Sequence, residues 1–308
     1  LLDRIHRVKF SHLSNEEKIV ITKKYIIPEV TTKMGLEGVI NLSDDIIKFI
    51  ISEYTCEPGV RKLKEILFEI VGEINLKILN HECNFTLPIE LTEEDIKCTY
   101  LKERHQIRAK MIHDKPTSGI INGLWANALG KGGIIPIESS LCFNSTMLDL
   151  KLTGLQGDVM KESMNVAKTL AWGLLTTKQQ KDNIKQMEET KYQGIHIHCP
   201  EGAVPKDGPS AGTAITVVIH SLLSGKKIKN EVAITGEINL QGCVTAIGGL
   251  DLKILGGIQA GVKEFIFPEE NTKEFDEFME KYKDKPVLEG ITFNKVSHIK
   301  EVLKLVYK

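Results

Sequence analysis

Pro205-Lys206-Asp207-Gly208-Pro209-Ser210-Ala211-Gly212 runs directly into Thr213-Ala214-Ile215-Thr216-Val217-Val218-Ile219-His220-Ser221-Leu222-Leu223, and Gly225 stops the apolar run. A Pro just before an apolar run and a Gly just past its end are the usual punctuation of a helix. Ser210 is then expected at or beside the helix N-terminus. Backbone N–H groups there lack intrahelical acceptors, and the dipole favours negative charge. A serine oxygen that attacks a carbonyl makes an oxyanion beside itself, so the position suits a nucleophile. It equally suits a plain N-cap, the common role of a serine before an apolar run. The rest of the chain has to decide between the two.

Before this stretch the texture changes twice. Ser14-Asn15-Glu16-Glu17 has the spacing of a capping box, and its helix is expected to carry Ile19, Val20, Ile21 and Tyr25 and to stop before Pro28. Ser43-Asp44-Asp45 opens a second helix, with Ile46, Ile47, Ile50, Ile51 and Tyr54 on one stripe. After Glu57-Pro58-Gly59 a third follows, with Val60, Leu63, Ile66, Leu67, Ile70, Val71, Ile74 and Ile78 at helical spacing. Phe85-Thr86-Leu87 reads as a short strand, and Thr92 caps a helix through Leu101. A small helical bundle is the expected product. Residues 102–118, charged and then broken by Pro116, are the best boundary.

Beyond the boundary, glycines become frequent and apolar runs shorten. Gly119 to Leu124, Gly133 to Ile137, Leu148 to Leu152, Ile195 to Cys199, Val232 to Thr235, Phe265 to Phe267 and Ile291 to Phe293 read as strands. Helices are expected from Gly157 to about Leu175, after Ser210, from Leu250 to Ala260, from Asn271 to Tyr282 and from Ile299 to Tyr307. The polar stretch Lys178 to Gln193 reads as a loop with a short helix. Intermixed strands and helices predict an α/β or α+β layer fold.

Composition narrows the function classes. The chain of 308 residues is 42% hydrophobic and 26% charged, with 40 basic and 41 acidic residues and a net charge of −1. That suits a globular protein of about two domains and is no electrostatic footprint for nucleic acid. No apolar run approaches a membrane span. Cys56, Cys83, Cys98, Cys142, Cys199 and Cys243 are widely spaced without a C-x-x-C pair, which predicts free thiols in a reducing, intracellular compartment and no structural metal. The chain opens Leu1-Leu2-Asp3-Arg4-Ile5 and is expected to be part of something longer.

Gly208-Pro209-Ser210-Ala211-Gly212 fits G-x-S-x-G, the nucleophile elbow of α/β-hydrolases, with Asp276 or Asp284 and His298 as partners. An elbow needs a strand running straight into it. Ala203 to Asp207, with its Pro and charges, reads as a loop. The other activator of a serine is a lysine kept neutral by burial. Lys253 is the candidate, alone on the apolar, small-residue helix Gly248-Gly249-Leu250-Asp251-Leu252-Lys253-Ile254-Leu255-Gly256-Gly257. A lysine snorkelling from a packed helix is the plainer alternative. His196, His198 and His220 are the next bases if Lys253 is not the one. His196 and His198 share one strand face with no evident third metal ligand.

These residues together carry a resemblance. Pro205 to Gly212, Thr235-Gly236-Glu237-Ile238, Gly248-Gly249-Leu250 with Lys253 three residues on, His196 to Ala203, and Thr153-Gly154-Leu155-Gln156-Gly157-Asp158-Val159-Met160-Lys161-Glu162-Ser163 resemble the Lon protease family over nearly all of residues 117–308. Leu2-Asp3-Arg4 and Glu57-Pro58-Gly59-Val60-Arg61 resemble the small helical subdomain of the Lon AAA+ module.

The resemblance implies a helical AAA+ lid-type subdomain over 1–105, a linker over 106–116 and a Ser-Lys protease domain over 117–308. It implies Ser210 as nucleophile and Lys253 as base. Thr235 would orient the amine, and Asp207 would flank the site and pair with Lys253 to hold it charged and idle. Gly208 would be a supporting residue, and backbone N–H groups near Ser210 would form the oxyanion hole. Arg61 would be a nucleotide-sensing arginine; without the resemblance it is a surface arginine at a helix start. One departure is Leu252, where the family usually has a second charged residue before the lysine.

The implied activity is ATP-dependent endoproteolysis of unfolded or misfolded proteins by a ring-shaped homohexamer. Gly130-Lys131-Gly132 has no Ser or Thr after the lysine and does not make a phosphate loop, so no ATP hydrolysis is expected from this chain, the ATP and Mg site lying elsewhere in a longer protein. A non-catalytic assembly module with the same fold and a hydrolase-type serine esterase are the rival readings.

Overall fold

A computed structural model describes residues 13–55, 57–81, 86–107, 110–127, 130–200, 206–283 and 285–308. The chain divides into two compact units, Leu1–Arg108 with Ala128–Lys131, and Ala109–Asn127 with Gly132–Lys308. The segment expected as a linker, 106–116, is bonded at both ends to its own side. Ile107 N donates to Glu53 O at 2.6 Å, and Ile112 N donates to Ala260 O at 3.0 Å.

In the first unit, α1 (Asn15–Ile21) starts at Ser14 with a complete capping box to Glu17. It does not stop before Pro28. It passes through a π-turn (Thr22–Ile26) into α2 (Ile27–Met34), which ends at Gly35 with φ 69°. A proline lacks the N–H that an α-turn needs, and the wider turn lets the chain continue with Pro28 in the first turn of the next segment. A short strand β1 (Ile40–Asn41) precedes α3 (Asp44–Tyr54), capped by Ser43. The following helix, α4 (Arg61–Leu79), has no cap of its own at Val60, but the Glu57 carboxylate accepts from Lys62 N and Leu63 N at 2.8 Å each.

Phe85 lies outside the described residues. The strand of this region is β2 (Ile89–Glu90), later than expected, parallel to β1. Ile89 is buried and its N–H reaches Val39 O at 2.7 Å, whereas Leu87 is exposed. Next comes α5 (Glu93–Asp95), capped by Thr92 and continuing as a π-turn (Ile96–Tyr100). The core is the set of stripes read from the sequence, with Ile47, Ile50, Leu63, Ile66, Leu67, Ile70 and Ile74 all buried.

Among the described residues the second unit is built on a seven-stranded mixed sheet. In chain order its elements are β3 (Ile120–Ala126), β4 (Gly132–Cys142), β5 (Leu150–Thr153), α6 (Asp158–Gly173), α7 (Thr177–Thr190), β6 (Gly194–His198), α8 (Gly212–Ser224) and β7 (Val232–Ile234). They continue with a hairpin of β8 (Glu237–Ile238) and β9 (Val244–Thr245), then α9 (Leu250–Gln259), β10 (Glu264–Pro268), α10 (Thr272–Tyr282), β11 (Thr292–Val296) and α11 (Ile299–Val306). The sheet order is β11-β10-β7-β3-β4-β6-β5. From β11 to β3 the neighbours are parallel; β4 is antiparallel to β3 and to β6, and β5 is parallel to β6.

Alternation along the strands sends side chains to two cores. Ile121, Ile135, Ile137, Ile195, Ile197, Val232, Ile234 and Ile266 meet α6, α8 and α11. Leu124, Ile134, Ala233, Phe265 and Phe267 meet α9 and α10. The result is a three-layer α/β arrangement. Lys178 to Gln193 is mostly the full helix α7 rather than a loop. Its apolar signal is faint because it buries only Asn183 and Met187; Asn183 Nδ2 donates to Leu223 O at 2.9 Å.

Close backbone approach sets where α9 lies. A methyl group at Gly256 would stand 2.1 Å from the Gly132 carbonyl carbon, and one at Gly132 would stand 2.0 Å from Leu252 O. Backbone cannot yield as a flexible side chain does. Gly256→Ala is expected to lower stability by about 3 kcal/mol, read as the urea midpoint. A midpoint like the parent's would remove this contact as the reason α9 sits so near the sheet.

Candidate active site

Two of the helices that flank the sheet, α8 and α9, are linked through Thr235, just past the C-terminal end of β7. On one side, Ser210 lies in a 3₁₀ turn (Pro209–Ala211) that leads into α8. No side chain caps α8, whose N-cap is Ala211, so Ser210 is not the N-cap of that helix. Among the described residues its Oγ makes no hydrogen bond. On the other side, Lys253 follows one turn into α9 and is only 4% exposed. Thr235, fully buried just past β7, joins them. Lys253 Nζ donates to Thr235 Oγ1 at 3.1 Å, and Thr235 Oγ1 donates to the Ser210 carbonyl at 3.3 Å. Gly236 N donates to the same carbonyl at 2.8 Å, while Thr213 N donates to Gly236 O at 3.1 Å. The turn carrying Ser210 is thereby strapped to the strand end.

Close packing shapes the turn from the other side. A methyl at Gly212 would meet Ser163 Oγ at 2.7 Å and Ile238 Cγ2 at 2.8 Å, so the first residue of α8 must be small. Gly208 has φ 115°, a backbone shape that L side chains rarely adopt.

Electrostatics at Lys253 are simple. Burial pushes its pKa down from 10.5 to about 8, against an opposing pull from Glu274. Neither Asp207 nor Asp251 forms an ion pair with it. Asp207 is occupied at the N-terminus of α6, where Oδ1 accepts from Met160 N at 3.1 Å and from Gly208 N at 2.9 Å. The expected Asp207–Lys253 pair is therefore absent from this structure. The Gly208 N–H is likewise committed to Asp207.

Other candidates lie elsewhere. Arg61 is the first residue of α4, its side chain 94% exposed, with Glu65 at 3.6 Å. His196 and His198 share a strand face, and Thr153 Oγ1 sits between them, 2.9 Å from one ring and 2.7 Å from the other. Among the described residues no three His, Cys, Asp or Glu side chains are grouped to hold a metal. His220 is buried against the Tyr307 hydroxyl at 2.6 Å, and burial pushes its pKa down to about 4. It stands ten residues along from Ser210, about 15 Å of helix rise. The hydrolase elbow fails on geometry. Among the described residues the preceding strand ends at His198, Asp276 pairs with Lys295, and His298 caps α11. Asp284 lies outside the described residues.

Sequence reasoning missed the first turn of α10. Asn271 Oδ1 accepts from Ile247 N at 3.0 Å, and Glu274 Oε1 accepts from Leu250 N at 2.9 Å. An Asn and a Glu three apart at a helix start are an ordinary capping signal, and nothing local says that they cap another helix.

Two family models match the chain: the Lon protease (S16) C-terminal proteolytic domain over residues 90–308, and the Lon protease AAA+ ATPase lid domain over residues 33–84. The chain is 34% identical to the Lon protease homolog of Acanthamoeba polyphaga mimivirus, covering 98% of this chain and 35% of the viral protein. It is 35% identical to the Lon protease of Parabacteroides distasonis, covering 99% of this chain and 35% of that protein. The Lon protease of Methanosarcina barkeri is 33% identical over 99% of this chain and 36% of its own length. The chain thus spans about a third of the length of these relatives.

The Lys253 environment predicts a pH-dependent stability. Between pH 8 and 10.5 the unfolded chain holds a proton that the folded chain lacks, so stability rises with pH across that window. Below it, the buried charged amine is a full penalty. Lys253→Met is expected to stabilise the chain near neutral pH by up to about 3 kcal/mol, and the gain should fade as pH approaches 10.5. Urea denaturation at both ends of the window checks this; an equal gain at both would show that the amine is not the cause.

Proposed function

The chain belongs to the Lon protease family, and on that premise we propose that it is a serine endopeptidase using Ser210 as nucleophile and Lys253 as base. The observation that carries this is the buried Lys253 amine beside Thr235 Oγ1, at the strand end to which the Ser210 turn is strapped. A base must be neutral to accept a proton, and desolvation supplies that near physiological pH.

In the proposed reaction Lys253 takes the Ser210 proton as Oγ attacks the peptide carbonyl. The Oγ–C bond forms, and the carbonyl electrons move onto oxygen. Backbone N–H groups of the first turn at Ser210 and Ala211, where helical geometry supplies no acceptor, hold that oxyanion. As the C–N bond breaks, Lys253 returns the proton to the leaving amine. Water then releases the acyl group by the same path. Thr235 fixes the amine's direction, and Asp207 serves by holding the nucleophile loop to α6.

The substrates in this proposal are protein chains in unfolded or misfolded form. ATP-dependent delivery, assembly as a homohexamer and a reducing intracellular setting belong to the same proposal, since the relatives are so much longer than this chain. Arg61, exposed at the start of α4 and held only by an exposed pairing to Glu65, suits a side chain that reaches toward a nucleotide held elsewhere. No helix of the described residues is long and apolar enough to cross a membrane.

Ser210→Ala is expected to abolish cleavage of an unstructured fluorogenic peptide and labelling by a serine-reactive probe, with the urea midpoint kept. Lys253→Arg should lose at least about a thousandfold in rate, because a guanidinium does not give up its proton near neutrality. Activity of the parent should climb through about pH 8 as Lys253 deprotonates. Turnover by purified Ser210→Ala would sink the nucleophile assignment, and substantial turnover by Lys253→Arg would move the base elsewhere.

A further inference from the structure

We propose that Glu274 is a positioning residue for Lys253: it caps the helix that carries the amine, and its carboxylate is the charge that reaches that amine. The inference rests on the reading of Lys253 as the base. Helix α9 begins at Gly249, with φ 70° and no side chain to cap the first turn. The cap comes instead from α10. Glu274 Oε1 accepts from Leu250 N at 2.9 Å, and Lys253 lies three residues further along the same helix.

The residues around Glu274 make the grip firm. Its Oε2 accepts from Asn271 Nδ2 at 2.9 Å. Asn271, buried, also donates to Ile247 O at 2.7 Å and accepts from Ile247 N at 3.0 Å. Glu270 Oε2 accepts from Ala246 N at 2.7 Å. Three side chains from one stretch thus hold the backbone from Ala246 to Leu250. That backbone contains Gly248 and Gly249, which left alone would be the least constrained part of the approach to α9. A shift there moves Lys253 relative to Thr235.

The charge argument follows from what surrounds the amine. From β3 no titratable side chain faces α9, and the one carboxylate of β4, Glu138, is exposed and lies six residues along the strand from Gly132, where α9 packs. On α10, Asp276 is turned to Lys295, while Lys273, Glu277 and Glu280 are exposed. Asp251 on α9 itself is exposed, and Asp207 is engaged at α6. Glu274, half-buried, remains, and it raises the proton affinity that burial lowers.

Glu274→Gln keeps an oxygen for Leu250 N and removes the charge; Glu274→Ala removes both. Two readouts are taken on the full chain after urea denaturation has confirmed folding. One is the pH profile of peptide cleavage. The other is the pH dependence of Lys253 modification by an amine-reactive reagent, followed by peptide mass spectrometry. In Glu274→Gln both midpoints should move down by roughly half a unit to one unit. In Glu274→Ala the alkaline plateau of kcat should fall about tenfold with little change in KM, as expected when a reacting group is misplaced, and Glu274→Gln should restore part of it. A Lys253 modification midpoint unmoved in Glu274→Gln overturns the proposal, as does a parental kcat plateau in Glu274→Ala. If the modification midpoint moves and the cleavage profile does not, Glu274 acts on Lys253 as proposed and it is the assignment of Lys253 as base that fails.

Discussion

A primary amine kept out of water beside a single hydroxyl is the constraint on which the second unit depends. Desolvating an ammonium is costly, so the group tends either to find a carboxylate or to lose its proton. Lys253 finds only the Thr235 hydroxyl within hydrogen-bonding distance among the described residues, and its proton affinity falls accordingly. Such an arrangement persists only if its surroundings hold it. Here α9 is pressed onto β4 through Gly132 and Gly256, and its first turn is capped from α10.

The Ser210 side is held by a different device. Ser210 is not fixed through its own side chain. Its carbonyl accepts from Gly236 N and Thr235 Oγ1, and Asp207 ties the preceding residues to α6. The backbone is immobilised and the hydroxyl is left without a partner, which suits the proposed role of Ser210. The fold places both halves at the end of one strand because α8 and α9 cover opposite faces of the same sheet.

Much of this was legible in the chain. The capping patterns at Ser14, Ser43 and Thr92 are local, and each formed as read. The stripe of α4 and the alternation of β6 are likewise properties of neighbouring residues. Where reading failed, something non-local had intervened. Pro28 did not end its helix because a π-turn absorbed the missing N–H. The polar helix α7 was read as a loop with only a short helix because its anchoring contact is an amide, Asn183, bonded to a carbonyl at the end of α8. Asp207 bonds to backbone N–H groups and not to the lysine that the family resemblance implied as its partner.

By itself the sequence determined the local elements and the chemical groups offered for reaction: a serine after Gly-Pro, a lone lysine on an apolar helix, a threonine ending a strand. Periodicity and capping operate over three or four residues, so they survive without knowledge of the fold. Only the tertiary structure decided which charge reaches Lys253. Glu274 is 21 positions away and comes near solely because α10 packs on α9, and electrostatic proximity across packed helices leaves no periodic trace in the chain.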